Sequence, residues 1–412
     1  VNLLPELLML RFTTAGESHG PALVTILEGL PAGVPLLAEH IDTQLARRQQ
    51  GYGRGRRMQI ETDRAEILSG VRAGESLGGP ISLLIRNRDW QNWTEIMDPA
   101  PRESDADGPR KRTVTRVRPG HADLVGVLKY DRTDARDILE RASARETTAR
   151  VAAGAVCRQF LETLGVRIGS HVAELGGIVA QRPAEWPDDL NAVADASAVR
   201  MLDAEAEQAV IAHIDTIKRA GNTLGGICEV VVTGLPLGLG SHVSWDRKLD
   251  GRLGQAMLSI QAVKGVEIGL GFEASRRTGA EVHDEVLPAP GRTRAGHVAR
   301  PTNRAGGLEG GITTGEPLVI RVAMKPIATL MRPLATVDVA TGAVASAAAE
   351  RSDVTAVPAM GVIAEAMAAF VLAQAMLEKF GGDSLTEVER NLAGYLAHLD
   401  ARVARREAVT EE

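Results

Sequence analysis

Apolar residues recur at helical spacing in five stretches of this chain, most of them bracketed by residues that start or stop helices. The pattern predicts one long helix over Asp134–Leu164. A second runs over Asp203–Ala220, opened by an acidic cap and closed by Gly221. A third spans Trp245–Lys264 and ends at Gly265. Pro358–Phe380 begins with proline and stops at Gly381-Gly382, and Asp383 or Ser384 then caps a last helix to about Leu399. Short β-branched runs behind glycines, Pro80–Ile85, Ile227–Val232 and Pro317–Val322, predict strands. Pro99–Arg112 and Pro183–Asp189 are polar and proline-bearing and predict loops. The longest apolar run, Met360–Leu377, contains Glu365 and Gln374, which predicts a buried helix rather than a membrane span.

One motif occurs twice. Arg72-Ala73-Gly74-Glu75-Ser76-Leu77-Gly78-Gly79 and Arg219-Ala220-Gly221-Asn222-Thr223-Leu224-Gly225-Gly226 both read R-A-G-x-x-L-G-G, and both lead into a strand-like run. Gly310–Val322 is a looser third copy. The echo is either coincidence in a Gly-, Ala- and Arg-rich chain or the mark of two related halves within one domain.

Length and charge narrow the classes. The 412 residues weigh 43.7 kDa, enough for about two or three domains or one large one. The net charge of −6, with only 3% aromatic residues, argues against bulk polyanion binding and against base stacking. Of 47 basic residues only 7 are lysine. That bias is either genomic composition or a chain that grips carboxylates and phosphates bidentately. The two cysteines, Cys157 and Cys228, offer no disulfide framework and no zinc spacing, and no metal site is expected. Their use fits a reducing cytoplasm. The apolar start, Val1–Leu10, lacks a basic region and a cleavage site and does not read as a signal peptide.

Six polar segments stand out as candidate chemistry. Thr13–Gly20 (TTAGESHG) places His19 between Ser18 and glycines, where backbone can approach a ligand; the alternative is a surface turn histidine. Arg47–Arg57 packs five arginines and three glycines into eleven residues, suited to wrapping an anion, to a solvated basic loop or to an RG-type nucleic-acid segment. Its G-x-G-x-G does not open a hydrophobic helix, and no G-x-x-x-x-G-K-[ST] occurs, which excludes P-loop chemistry. Arg116–Asp123 sets His121 behind a Pro-Gly turn. Ala142–Thr148 carries Ser143, Arg145 and two threonines. Thr302–Gly315 with Met324–Thr329 joins glycine-rich backbone to Lys325, fit for a phosphate or flavin edge. Glu350–Asp353 is the sixth, an acidic turn that could simply cap a helix. Together they describe an arginine-rich pocket with two histidines and no G-x-S-x-G nucleophile elbow, pointing to a small polyanionic substrate and acid–base chemistry.

In this order, the stretches TTAGESHG, GYGRGRRM, RPGHADL, SARETT, NRAGGLEGG, MKPIATL and ERSD resemble the chorismate synthase family from about Arg11 to Phe380. The resemblance implies an α+β fold, a single pseudo-symmetric β-α-β sandwich with helices between two antiparallel sheets. It implies an extension over residues 1–10, a family domain over 11–399 and a charged tail over 400–412. The implied activity is a phosphate lyase: anti 1,4-elimination of phosphate from 5-enolpyruvylshikimate 3-phosphate to give chorismate, in aromatic amino acid biosynthesis. It needs reduced FMN without net redox change.

By motif, His19 is similar to the acid that protonates departing phosphate. His121 is similar to the histidine that protonates reduced flavin near N1, and Asp353 to the carboxylate that assists removal of the substrate proton. Ser18, Arg48, Arg54, Arg57, Arg118, Arg145 and Arg351 match substrate-binding positions. Arg48 and Arg54 also match where NADPH is placed in bifunctional members. Ser143, Ala144, Arg145, Gln261, Ala262, Gly310, Lys325, Pro326, Ile327, Ala328, Thr329 and Arg351 match flavin contacts. Gln261 stands where some relatives have Asn. The family forms homotetramers, and some members rely on an external flavin reductase. The segment Pro99–Arg112 is expected to act as a lid. The rival readings are a flavin- or NADPH-dependent oxidoreductase, which would consume one reductant per product, and an RNA-binding protein using Arg47–Arg57.

Overall fold

The computed structural model describes residues 10–55, 62–101, 112–348 and 353–410. Two antiparallel sheets and a helical layer share one hydrophobic core. The first sheet has strands β1 (Arg11–Ala15), β2 (Ala22–Glu28), β3 (Glu66–Ser69) and β4 (Ile81–Arg86), in the order β1-β2-β4-β3. Its inner face follows from period-2 alternation: Leu23 and Leu27 on β2 and Ile81, Leu83 and Ile85 on β4 are fully buried. The second sheet has β5 (Arg167–Leu175), β6 (Ile178–Val179), β7 (Gly226–Thr233), β8 (Val263–Ile268) and β9 (Leu318–Met324), in the order β8-β9-β7-β5-β6.

The helices are α1 (Ala38–Gln49), α2 (Asp123–Lys129), α3 (Arg136–Ala142), α4 (Thr147–Thr163), α5 (Leu190–Ala196), α6 (Ala204–Arg219), α7 (Leu249–Leu258), α8 (Val357–Phe380) and α9 (Leu385–Thr410). Helix α4 lies on β1 and β2 and also meets β5. Helix α8 lies on β5, β7 and β9, and the two helices pack on each other and on α1. A Cβ at Gly154 of α4 would collide with Ala366 of α8, so this glycine sets how closely the helices approach. By length and composition α8 could cross a membrane, but here it is buried between the second sheet and its neighbouring helices.

The buried charges on α8 and its neighbours form a network. Both oxygens of Glu365 accept hydrogen bonds from Arg47, at 2.8 and 2.9 Å. Arg158 adds a bond at 2.7 Å, Arg200 one at 3.2 Å and Ser170 Oγ one at 2.6 Å. Arg47 also donates from Nε to Asp195 at 2.6 Å and from Nη1 to Gln44 at 2.6 Å. Burial alone would push the Glu365 carboxyl up, but the three guanidinium groups outweigh it and hold it well below the usual carboxylate range.

Several expectations hold and some are corrected. Asp203 caps α6 through bonds to the Glu205 and Ala206 amides, and α8 begins beside Pro358 and stops at Gly381. The strands predicted at Pro80–Ile85, Ile227–Val232 and Pro317–Val322 are β4, β7 and β9. Asp134–Leu164 is not one helix: Ser143 is extended (ψ 144°), its hydroxyl accepts from the Arg145 amide, and a single 3₁₀ turn separates α3 from α4. Trp245–Lys264 is not one helix either. Helix α7 stops at Leu258, Ala262 turns left-handed (φ 66°), and Val263–Ile268 pairs with β9, placing Gly265 inside a strand. There the β-branched alternation wins over the helical pattern. Helix α9 continues beyond Leu399 to Thr410.

The two R-A-G-x-x-L-G-G copies both feed an interior strand, β4 and β7. Their local shapes differ. Ala73 and Gly74 (φ 53° and 81°) turn a small hairpin, whereas Ala220 and Gly221 terminate α6.

Candidate active site

Strand β1 ends at Ala15, and Gly16 (φ 108°) then turns the chain where any Cβ would collide with the Ala22 carbonyl. The loop so formed is held by Asn87, whose Nδ2 donates to the Glu17 carbonyl at 3.2 Å and the Gly20 carbonyl at 2.7 Å. Ser18 is buried, its amide donates to the Glu140 carbonyl at 3.0 Å, and its hydroxyl accepts from Ser143 at 3.2 Å. His19 Nδ1 lies 3.0 and 2.9 Å from the two Glu140 oxygens, and the His19 amide donates to the same carboxylate at 2.9 Å. Burial would raise the Glu140 carboxyl, but His19 and Arg136 reverse this and hold it low.

The arginines come from different elements. Arg48, near the end of α1, donates from Nε to Thr147 Oγ1 and from Nη2 to the Ala144 carbonyl, both at 2.9 Å. Its Nη1 is buried and makes no hydrogen bond among the described residues; the nearest carboxylate, Asp63, stands 3.8 Å away. Burial and the neighbouring Arg54 and Arg145 push the Arg48 guanidinium down to about 9, with Asp63 and Asp353 opposing, so it stays charged near neutral pH. Arg145 grips Asp63 at 2.7 and 2.8 Å and reaches Asn87 Oδ1 at 2.9 Å. Arg54 faces Asp353 at 3.2 Å, and the Gly55 amide donates to Asp353 at 2.6 Å. Asp353 is therefore tied to the glycine–arginine loop and does not cap a helix.

His121 sits in the turn that opens α2. Its Nδ1 lies 2.5 Å from Asp123 Oδ1 and 3.1 Å from Arg118 Nη2. Asp123 is fully buried and accepts from Arg118 at Nε (2.8 Å), Nη2 (3.0 Å) and the amide (3.0 Å). Burial would push its carboxyl up; His121 and Arg118 overcome that and hold it far below the usual range.

The positions matched to flavin join the two halves of this cluster. Gln261 donates to Glu146 at 3.0 Å, while its Oε1 is buried without a hydrogen bond among the described residues. Ala262 accepts from the Lys325 amide at 3.0 Å, and Lys325 Nζ donates to the Gly120 carbonyl beside His121 at 2.8 Å. The Ile327 carbonyl accepts from Thr223 at 2.9 Å, Pro326 packs on the backbone at Gly225, and Ala328 and Thr329 continue the irregular segment after β9. Gly310 sits elsewhere, in the turn between Leu308–Glu309 and Ile312–Thr313, with His242 as neighbour. Arg57, Arg351 and most of the proposed lid lie outside the described residues.

Contacts thus run from His19 through Ser18, Ser143, Arg145 and Asp63 to Arg48, and from Glu146 through Gln261 and Lys325 to the His121 turn. The residues missed by sequence reasoning are the partners: Glu140, Asp63, Asn87, Glu146, Trp93 and Asp123. Only Asp123, two positions after His121, and Glu146, next to Arg145, carried a local signal. Chemically, the arrangement offers guanidinium groups for a polyanion and two imidazoles, each backed by a carboxylate that fixes the Nδ1 proton.

Comparison with known proteins gives the family. The family model described as chorismate synthase matches residues 10–377. The curated chorismate synthase of Symbiobacterium thermophilum is 58% identical over 396 residues, covering 95% of this chain and 100% of that protein. That of Trichlorobacter lovleyi is 58% identical over 394 residues, with 95% and 99% covered. A crystal structure of a chorismate synthase superimposes with a TM-score of 0.76 at 44% identity, covering 95% of this chain and 99% of that one. With the family's motifs folded around one arginine-rich cluster and the match spanning nearly the whole length, this chain belongs to the chorismate synthase family.

Proposed function

We propose that the cluster around His19, His121 and Asp353 is where this chain performs its family's reaction. That reaction is a carbon–oxygen lyase step, the anti 1,4-elimination of phosphate from 5-enolpyruvylshikimate 3-phosphate that yields chorismate. The observation that carries the assignment is Arg48 Nη1, a buried cationic donor without a hydrogen bond among the described residues, next to Arg54 and Arg145. An unpaired buried donor costs about 1–3 kcal/mol, and an anionic substrate would relieve that cost. The substrate brings two carboxylates and a phosphate, and guanidinium groups bind both without losing their protons.

In this reading Arg48, Arg54, Arg145 and Arg118, with Ser18 and with Arg57 and Arg351 beyond the described residues, orient the substrate. His19 donates a proton from Nε2 to the departing phosphate, because Glu140 engages Nδ1. A histidine beside a phosphate dianion has its charged form favoured, which keeps the proton available near neutral pH. Asp353, fixed by Arg54 and the Gly55 amide, assists removal of the substrate proton. His121 holds a proton, fixed by Asp123.

The cradle for FMN would be Ser143–Arg145, Gln261 and Ala262, Lys325–Thr329 and, beyond the described residues, Arg351, with Gly310 apart from it. The unpaired Gln261 Oε1 and the left-handed Ala262 beside Lys325 fit a bound group there. When bound there, reduced FMN would supply electron density for breaking the C–O bond, with no net redox change.

Beyond the site, the repeated motif feeding interior strands of both sheets supports the pseudo-symmetric sandwich, with residues 11–399 as the working unit. By family likeness we read the enzyme as a cytoplasmic homotetramer. It takes its reduced flavin either from an external reductase or by using NADPH at Arg48 and Arg54.

The test is anaerobic incubation with the phosphorylated substrate and dithionite-reduced FMN, following phosphate release and chorismate absorbance. Many turnovers per reduced flavin are expected; one product per reductant would contradict the reading. NADPH with oxidised FMN and no added reductase then separates the two reductant sources.

A further inference from the structure

A histidine that delivers a proton must be held in one orientation. The His19 imidazole lies on the indole of Trp93, with ring centroids 3.8 Å apart and planes inclined by 24°. Trp93 is only 9% exposed, and its Nε1 donates to Asp89 at 2.8 Å, so the indole is itself fixed. On the other edge of the imidazole, Glu140 meets both Nδ1 and the His19 amide. The charged groups facing this assembly come from three elements. Glu140 and Arg136 lie on α3, where Arg136 donates to Glu140 at 2.9 Å and stands 5.1 Å from the Trp93 ring centre. Arg112 stands 4.4 Å from the same ring centre, and Glu17 lies in the histidine's own loop.

The carboxylate selects where the ring carries its proton, because an Nδ1–H bonded to Glu140 makes Nε2 the nitrogen that exchanges the catalytic proton. Arg136 and Arg112 are engaged by partners of their own, Glu140 for Arg136 and the indole for both.

We infer that Trp93 and Glu140 act together as positioning residues for His19, the indole fixing the plane of the imidazole and the carboxylate fixing its protonated nitrogen. The inference rests on the reading of His19 as the general acid. Neither residue touches the reacting atoms, so their effect must appear in how His19 aims its proton, in kcat more than in KM.

The test combines fluorescence and kinetics on the full-length protein. Protonated imidazole stacked on indole quenches its emission, so the ligand-free protein should show a pH-dependent fluorescence step. That step should vanish in Trp93→Phe and in His19→Gln. In Glu140→Gln, where the side chain no longer demands a proton on Nδ1, kcat should fall about tenfold with KM nearly unchanged. Trp93→Phe, which keeps a ring to stack on, should retain most of the turnover, whereas Trp93→Leu should lose about tenfold in kcat with KM nearly unchanged. Thermal melts of each variant exclude simple unfolding.

An unchanged fluorescence step in Trp93→Phe, or wild-type kcat in both Trp93→Leu and Glu140→Gln, overturns the inference. A step that vanishes as described while His19→Gln turns over normally overturns the general-acid reading instead, and with it the catalytic purpose of the clamp.

Discussion

Arg47 and Arg48 are neighbours on α1, yet they belong to two different kinds of buried charge. Arg47 points into the helical layer, where Nε, Nη1 and Nη2 all donate and Glu365 receives three guanidinium groups and a serine hydroxyl. Arg48 points toward the Ser143–Thr147 turn, bonded through Nε and Nη2, with Nη1 making no hydrogen bond among the described residues and only a 3.8 Å ion pair to Asp63. Both regions set three arginines against two carboxylates: Arg47, Arg158 and Arg200 with Glu365 and Asp195, and Arg48, Arg54 and Arg145 with Asp63 and Asp353. Charge count therefore does not separate structure from function. What separates the two neighbours is whether their own donors are already spent: all three nitrogens of Arg47 donate, while Nη1 of Arg48 makes no hydrogen bond among the described residues.

That contrast can be broken most directly in the core. Glu365→Ala strands three buried guanidinium groups and should cost about 3–5 kcal/mol of stability, read as a large drop in Tm. Arg48→Met is the opposite case: it removes a cation that burial already disfavours, so Tm should hold or rise while kcat/KM falls about a hundredfold. Equal destabilisation by the two substitutions would erase the distinction.

A smaller effect sharpens it. Millimolar phosphate should raise the Tm of wild type by mass action and do so less in Arg48→Met, whereas conservative changes at Arg47 should leave that increment intact wherever they fold.

Acid titration gives the next. The folded Glu365 carboxyl ionises below the value of about 4.3 for an exposed glutamate, so its charge stabilises the fold above that pH and the contribution is lost as pH falls through the folded value. Chemical denaturation below about pH 4 should show a steeper loss in wild type than in Glu365→Gln. Smallest of all, burial pushes the Cys228 thiol up to about 12 and raises Cys157 as well, so neither should react with a thiol reagent until the chain unfolds.

The sequence made some of this visible and hid the rest for physical reasons. Helix α8 could be read because its apolar run is continuous, and α6 because Asp203 and Gly221 mark its ends. Strand β5 could not, because Ser170 and His171 break its apolar pattern and a bulge between Val172 and Glu174 shifts the register. The break before α4 is invisible to periodicity because Ser143 interrupts the helix for a single 3₁₀ turn. At the site, the histidines and arginines announce themselves beside glycines. Their carboxylate partners do not: Glu140 lies 121 positions from His19, and Asp63 lies 82 from Arg145. Among 53 acidic residues, only the fold says which ones matter.

The central claim is that the unspent donor of Arg48 marks the substrate site. It is tested most directly by a crystal structure of the complex with 5-enolpyruvylshikimate 3-phosphate and FMN. The account predicts a substrate anionic oxygen within hydrogen-bond distance of Arg48 Nη1, with the Arg47–Glu365 pair unchanged. Substrate bound elsewhere, with Arg48 Nη1 still unpaired, would contradict it.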